Sequence, residues 1–499
     1  MTTTLEPAPS AAPPEQGFVR GIGPLAAISL VVGSMIGSGI FLVSADISRQ
    51  VTDLGPGGLM LVWAVTGAMT MAGALSYIEL AAMMPKAGGQ YVFLREGLSP
   101  ILGFLYGWTL FAVIQTGTIA AVAIAFAKFL AVFFPALTDT IILSLGSLRL
   151  PGSPTPIPIG VSLQRLVAIA MVLGLTIINI RGVRLGAAVQ TVFTVAKVGA
   201  LIALIVLGLL VFRQAEAVHL NFGNFWGTGP WTLAVVPVVA AAMVGSLFSS
   251  DAWNNVTFAA AEVRDPTRNL PRALAIGTGL VTVLYLLANL AYLSVLPFHG
   301  APDGVTAVAR GIQYASADRV GTAAVAVMLG SIGASLMALA ILISVFGCNN
   351  GLILAGPRVY YAMSRDGLFF ERAGRLHSRY RTPAFGLVAQ AVWTSALCLS
   401  GTYNQLLDYV MFAVLIFYFL TILALLRLRR TRPELARPVK AVGYPVVQLL
   451  YMAALAAIVV VLLIRKPEYT MPGLLIVALG VPVYLIWRRI TRPQSQAAT

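Results

Sequence analysis

Two short runs of small and polar residues interrupt apolar stretches of this sequence, and both could hold a zwitterion. The first is Gly37-Ser38-Gly39. Glycine accepts backbone angles that other residues resist, so an apolar helix can open there. A half-helix that starts after such a gap points unpaired N–H groups and its positive dipole end at it, which suits a carboxylate. A half-helix that ends before the gap leaves carbonyls to accept hydrogen bonds from an ammonium group. Gly33 and Gly37 also fit a plain small-residue packing face between membrane helices, and the motif alone does not separate the two readings.

The second run is Phe248-Ser249-Ser250-Asp251-Ala252-Trp253-Asn254-Asn255. Five polar residues in eight cannot all face lipid, and an acid at membrane depth marks a functional site by default. Asp251 could accept a substrate ammonium, or cap the half-helix that follows. Phe248 is a candidate lid, and Ser249 and Asn254 are candidate contacts. Lys197, in Val195-Ala196-Lys197-Val198-Gly199, is a charge in the middle of another apolar run. It can fill a cation position, carry a proton, or bridge backbone carbonyls structurally.

The elements that must position these residues follow from composition. Hydrophobic residues make up 58% of the 499-residue chain and charged residues only 10%, against about 25% charged in soluble domains. Lipid is therefore the solvent. Twelve segments have the roughly 20 apolar residues a spanning helix needs: 24–46, 57–83, 101–133, 163–180, 186–212, 231–256, 273–296, 321–350, 384–401, 406–427, 443–464 and 471–489. The net charge of +15 lies in clusters between them, which excludes a nucleic-acid partner as its cause. With a cytoplasmic amino terminus, 23 Lys and Arg fall inside and 8 outside, and Lys128 and Lys197 lie within spans. This asymmetry predicts both termini in the cytoplasm of a cell-membrane protein. Residues 1–17 lack the basic region of a signal peptide, and 1–19 and 491–499 are expected to be cytoplasmic tails.

Val32-Gly33-Ser34-Met35-Ile36-Gly37-Ser38 is echoed by Val244-Gly245-Ser246-Leu247-Phe248-Ser249-Ser250, with four of seven residues identical. The copies lie five spans apart, so they have opposite orientation, as in transporters built from inverted repeats with broken first helices. The expected division is 20–220 and 221–440 for the repeats, then 441–490 for two further spans. Glu79 and Lys128 fall near span ends and are expected to be interfacial. His219, His299 and His377 are expected in loops, and Glu262 to Pro271 as a structured loop. Cys348 and Cys398 are expected to be packed thiols. No cofactor, metal or enzyme motif is present.

These motifs resemble the amino acid–polyamine–organocation transporter superfamily, most closely its L-type amino acid transporter branch. The likeness rests on residues 32–41, 251–255 and 269–271, with Pro85-Lys86-Ala87-Gly88-Gly89, Gly356-Pro357-Arg358 and Ser364-Arg365-Asp366-Gly367. It implies an all-α integral membrane fold of twelve transmembrane helices, with a five-plus-five inverted-repeat core and helices 1 and 6 broken. It places a substrate carboxylate at Ser38 and Gly39, and a substrate amino group at carbonyls around Met35, Phe248 and Asp251. It makes Phe248 an aromatic gate, puts Asn254 beside the pocket, and sets Lys197 where sodium-coupled relatives hold a cation. A sodium-independent amino acid exchanger is expected, with proton-coupled symport through Lys197 as the alternative. A non-transporting amino acid sensor is the alternative from another class, although the short termini offer no output domain. Animal members of the branch join a single-span glycoprotein through a cysteine between spans three and four. Residues 134–162 contain none, so no disulfide-linked heavy subunit is expected and a bacterial member is implied.

Overall fold

The computed structural model describes residues 17–148, 156–400, 403–465 and 467–490. The expected tails therefore lie outside the described residues, apart from 17–19. In chain order the helices are α1 (Pro24–Met35), α2 (Gly39–Gln50), α3 (Gly55–Met83), α4 (Gln90–Gly97), α5 (Pro100–Thr109) and α6 (Gln115–Leu130). After the hairpin β1 (Leu143–Leu148) and β2 (Ile157–Val161) come α7 (Leu163–Ile180), α8 (Val183–Val206), α9 (Ala215–Gly223), α10 (Val235–Ser249), α11 (Asn255–Phe258) and α12 (Pro266–Val295). Then follow α13 (Ala307–Arg310), α14 (Val320–Arg365), α15 (Ala384–Ser400), α16 (Tyr403–Thr431), α17 (Val446–Arg465) and α18 (Pro467–Ile490).

Among the described residues, ten helical stretches are long and apolar enough to cross a membrane, and α10 and α15 are shorter apolar helices. Each of the twelve expected spans meets one of these. α1 and α2 form the first, α5 and α6 the third, and α10 and α11 the sixth. Local chemistry sets several ends. Pro100 starts α5 behind Ser99, whose hydroxyl accepts the Leu102 N–H at 3.4 Å. Ser162 does the same for α7 through the Arg165 N–H at 3.2 Å. The turn between α7 and α8 passes through Gly182 at φ +133°, a backbone state that only glycine adopts easily.

The packing pairs each of the first four spans with the one five later: α2 against α10, α3 against α12, α6 against α14, and α7 against α15. Crossed contacts match as well. α8 meets α14 as α16 meets α6, and α1 meets α12 as α10 meets α3. This is the five-plus-five core. α8 shows how lipid turns the usual pattern inside out. Its Gln190, Thr194 and Lys197 are buried, while Val192, Val195 and Ile202 face outward.

The structure changes several expectations. α14 turns at Gly330 (φ +67°) and then runs on to Arg365, far past 350, so the Gly356-Pro357-Arg358 motif is helical. The helix continues because Arg358 is buried against Glu262, at 2.9 and 3.1 Å. α12 begins at Pro266, so Asn269-Leu270-Pro271 is helix and not loop. His219 sits on α9, a short helix outside the spans. Glu79 is fully buried at the end of α3, where it binds Arg429, Arg437 and the Ala441 N–H.

Candidate functional site

The first span breaks where its glycines allow it. α1 ends at Met35, Ile36 is extended (ψ 92°), and α2 begins at Gly39 with Ser38 at its cap. The first N–H groups of α2 lie outside the intrahelical ladder by geometry, and Ser38 O accepts the Phe41 N–H at 3.1 Å. In the sixth span α10 ends at Ser249, and the chain turns through Ala252 at φ +64° before α11. The two breaks touch. A Cβ on Gly39 would lie 2.7 Å from the Ser249 Cβ, and one on Gly245 would lie 3.1 Å from the Val43 Cβ. Only glycine lets the two chains approach so closely at Gly39.

Carbonyls at the end of α1 are already taken. Lys197, 1% exposed, donates to Gly33 O at 2.9 Å, Ile36 O at 2.7 Å and Ser344 O at 2.7 Å. The Ser344 hydroxyl reaches Ile36 O and Gly37 O, both at 3.1 Å, and Cys348 Sγ reaches Ser34 O at 3.0 Å. The Tyr285 hydroxyl lies 3.1 Å from Met35 O and 3.0 Å from Ser249 O, between the two half-helix ends. The expectation that α1 leaves its carbonyls open is thus corrected.

Asp251 does not cap α11, because Asn254 occupies the cap position and makes no capping bond. Its carboxylate accepts the Tyr418 hydroxyl and a backbone bond from Ala252. Two cavities meet at this carboxylate. One, with a volume of about 20 Å³, is lined by Gln90, Tyr106, Gln115, Asp251, Asn254 and Tyr418. The other, about 10 Å³, includes Thr70, Trp253, Tyr418 and Tyr451. A buried carboxylate between polar walls can take an ammonium or guanidinium group.

The expected residues therefore divide. Asp251 and Asn254 line a cavity, whereas Met35, Gly37, Ser38, Gly39, Phe248 and Ser249 are sealed where the breaks pack. Lys197 supports the first break from behind. Sequence reasoning missed Tyr285, Tyr418, Gln90 and Ser344. Gln90 joins three elements, since its amide donates to Phe417 O at 3.1 Å and Thr421 Oγ1 at 3.0 Å and accepts from Asn254 at 2.7 Å. Its position directly after Pro85-Lys86-Ala87-Gly88-Gly89 was the one available signal. The tyrosines lie in apolar runs and carry none.

Residues 22–486 match the family model for amino acid permeases. The chain is 29% identical over 492 residues to mouse (Mus musculus) b(0,+)-type amino acid transporter 1, covering 96% of this chain and 91% of that protein. It is 30% identical over 489 residues to human (Homo sapiens) large neutral amino acids transporter small subunit 2, covering 96% and 83%. With a match over nearly the whole chain, broken first and sixth spans and a multi-pass helical fold, the protein belongs to the amino acid permease family of the amino acid–polyamine–organocation superfamily.

Proposed function

We propose that the protein carries amino acids across the cell membrane by alternating access, without sodium, as an exchanger. The observation that carries this reading is the Lys197 ammonium, held by three carbonyls between the first break and α14. It occupies the place a coupling cation would need. Substrate carboxylate binding at the start of α2, around Gly37, Ser38 and Gly39, and amino-group or side-chain binding at Asp251 complete the reading, with Phe248 as gate. Both ends of the substrate then find groups of opposite charge.

The relatives' names support amino acids as the substrate class. One relative is named a small subunit. A disulfide to a larger partner needs an accessible thiol, and the chain's two cysteines, Cys348 and Cys398, are free and buried. This supports function without a disulfide-linked partner. The positive-inside count supports cytoplasmic termini, and the repeat boundaries 20–220 and 221–440 are proposed on the same footing.

Labelled amino acid uptake into proteoliposomes tests the reading. Uptake should require internal amino acid and ignore sodium. Uptake that ignores internal substrate and follows an inward proton gradient would replace exchange with proton-coupled symport through Lys197.

A further inference from the structure

We propose a second binding site, a cleft beside the end of α14 that holds the phosphate of an anionic membrane lipid. The cleft has a volume of about 480 Å³ and is lined by Arg365, Arg375 and Arg381 together with Tyr361 and Ser364. Among the described residues, Glu371 is the one carboxylate in its lining, and it is paired with Arg375 at 2.5 Å. The lining therefore carries an excess of two positive charges. Arginine forks and the Tyr361 hydroxyl together suit the several acceptor oxygens of a phosphate, while the Ser364 hydroxyl donates to Phe370 O at 2.7 Å and shapes the wall. Arg381 has a left-handed backbone (φ +57°), and its guanidinium donates to Gly17 O at 3.0 Å, which holds it at the cleft's edge.

Depth identifies the ligand as a lipid. Phe370, immediately before Glu371, is 52% exposed, and its ring lies 6.3 Å from Phe385 and 5.1 Å from Trp487. Aromatic rings gather at the level of lipid headgroups. The cleft opens one residue beyond this cluster, between the ends of two spans, α14 and α15. The positive-inside count assigns this side to the cytoplasm, where anionic lipids attract basic clusters. The cleft shares no lining residue with the cavities at Asp251, so this inference stands apart from the transport reading. The Ser364-Arg365-Asp366-Gly367 motif thereby divides its work. Asp366 binds Arg95 and Tyr91, while Arg365 faces the cleft.

The purified full chain in detergent, titrated with dioctanoyl phosphatidylglycerol and followed by thermal shift, tests the site. The lipid should stabilise the parent, while dioctanoyl phosphatidylcholine and inorganic phosphate should not. Arg375→Gln with Arg381→Gln should weaken binding about 30-fold, from about fivefold per charge near a membrane surface. Arg365→Gln, which spares the Arg381 bond to Gly17, should weaken it about fivefold by the same reasoning. Arg372→Gln with Arg379→Gln removes equal charge from the same loop outside the cleft and should change nothing. Equal losses in both double variants, or equal protection by inorganic phosphate, would overturn the proposal. So would binding that appears only after residues 1–16 are deleted, because the chain's own amino-terminal segment would then be the occupant.

Discussion

Replacing Lys197 by Ala tests how the first break is held open. The three bonds from its ammonium are not equivalent. Ser344 lies inside α14, so its carbonyl keeps its helical partner. Ile36 O keeps the Ser344 hydroxyl at 3.1 Å. Gly33 O, at 2.9 Å from the ammonium, has no other donor among the described residues. Truncation therefore strands one buried carbonyl and removes a charge-assisted bond to it. A bond of that kind contributes about 1.5–3 kcal/mol. Taking about 2 kcal/mol as the support lost to the break, transport should slow about 30-fold, at 1.4 kcal/mol per factor of ten. Labelled amino acid counterflow in proteoliposomes, measured across a range of pH, reads this directly. Size-exclusion elution checks that the variant folds. Lys197→Met, which preserves volume, should be equally slow. Parent-like kinetics for either variant at every pH would refute the assigned role.

Four further outcomes are expected. Ser38→Pro removes an N–H and fixes φ at the start of α2, so uptake should vanish while elution stays normal; retained uptake would dismiss the carboxylate site. Gly39→Ala should lower thermal stability by about 1–3 kcal/mol through overpacking against Ser249. Ser249→Gly should relieve that loss and Ser249→Ala should not, because the Ser249 Cβ lies 2.7 Å from the new methyl and its Cα 3.1 Å away. Asp251→Asn should raise KM for cationic amino acids about tenfold or more, from one lost charge-assisted bond of about 1.5–3 kcal/mol, with a smaller effect on neutral ones; equal effects on both classes would show that Asp251 does not face the substrate side chain. Glu262→Ala should destabilise the protein by about 3–5 kcal/mol by leaving Arg358 buried without its partner, which a thermal melt would detect.

Much of the frame was legible in the sequence. All twelve apolar segments became helices or pairs of helices, and both breaks fell in the runs rich in Gly, Ser and Asp. What misled was punctuation. Gly356-Pro357 and Asn269-Leu270-Pro271 carry residues that end helices in isolation, yet both are helical. Pro271 is the sixth residue of α12, past the first turn, so its missing N–H removes the bond to Thr267 O, and tertiary packing rather than local propensity keeps this stretch helical. At Pro357 the adjoining Arg358 finds a buried carboxylate, Glu262, in the connection after the sixth span, and that pairing outweighs local propensity. Tyr285 and Tyr418 escaped notice because an aromatic in an apolar run reads as packing, and only their hydroxyl partners distinguish them.

The sequence by itself determined the number of spans, the positions of the two breaks and the inward side of α8. All three follow from a local rule, that lipid rejects polar side chains and unpaired backbone wherever they occur along the chain. Only the tertiary structure decided which polar group answers which. Lys197 meets carbonyls 164, 161 and 147 residues away, and Asp251 meets a hydroxyl 167 residues away. Such partnerships depend on how the helices cross, and hydropathy carries no record of that. The glycines at the break first suggested a site with open carbonyls. The crossing helices fill those carbonyls and leave the buried carboxylate of Asp251 facing the cavities.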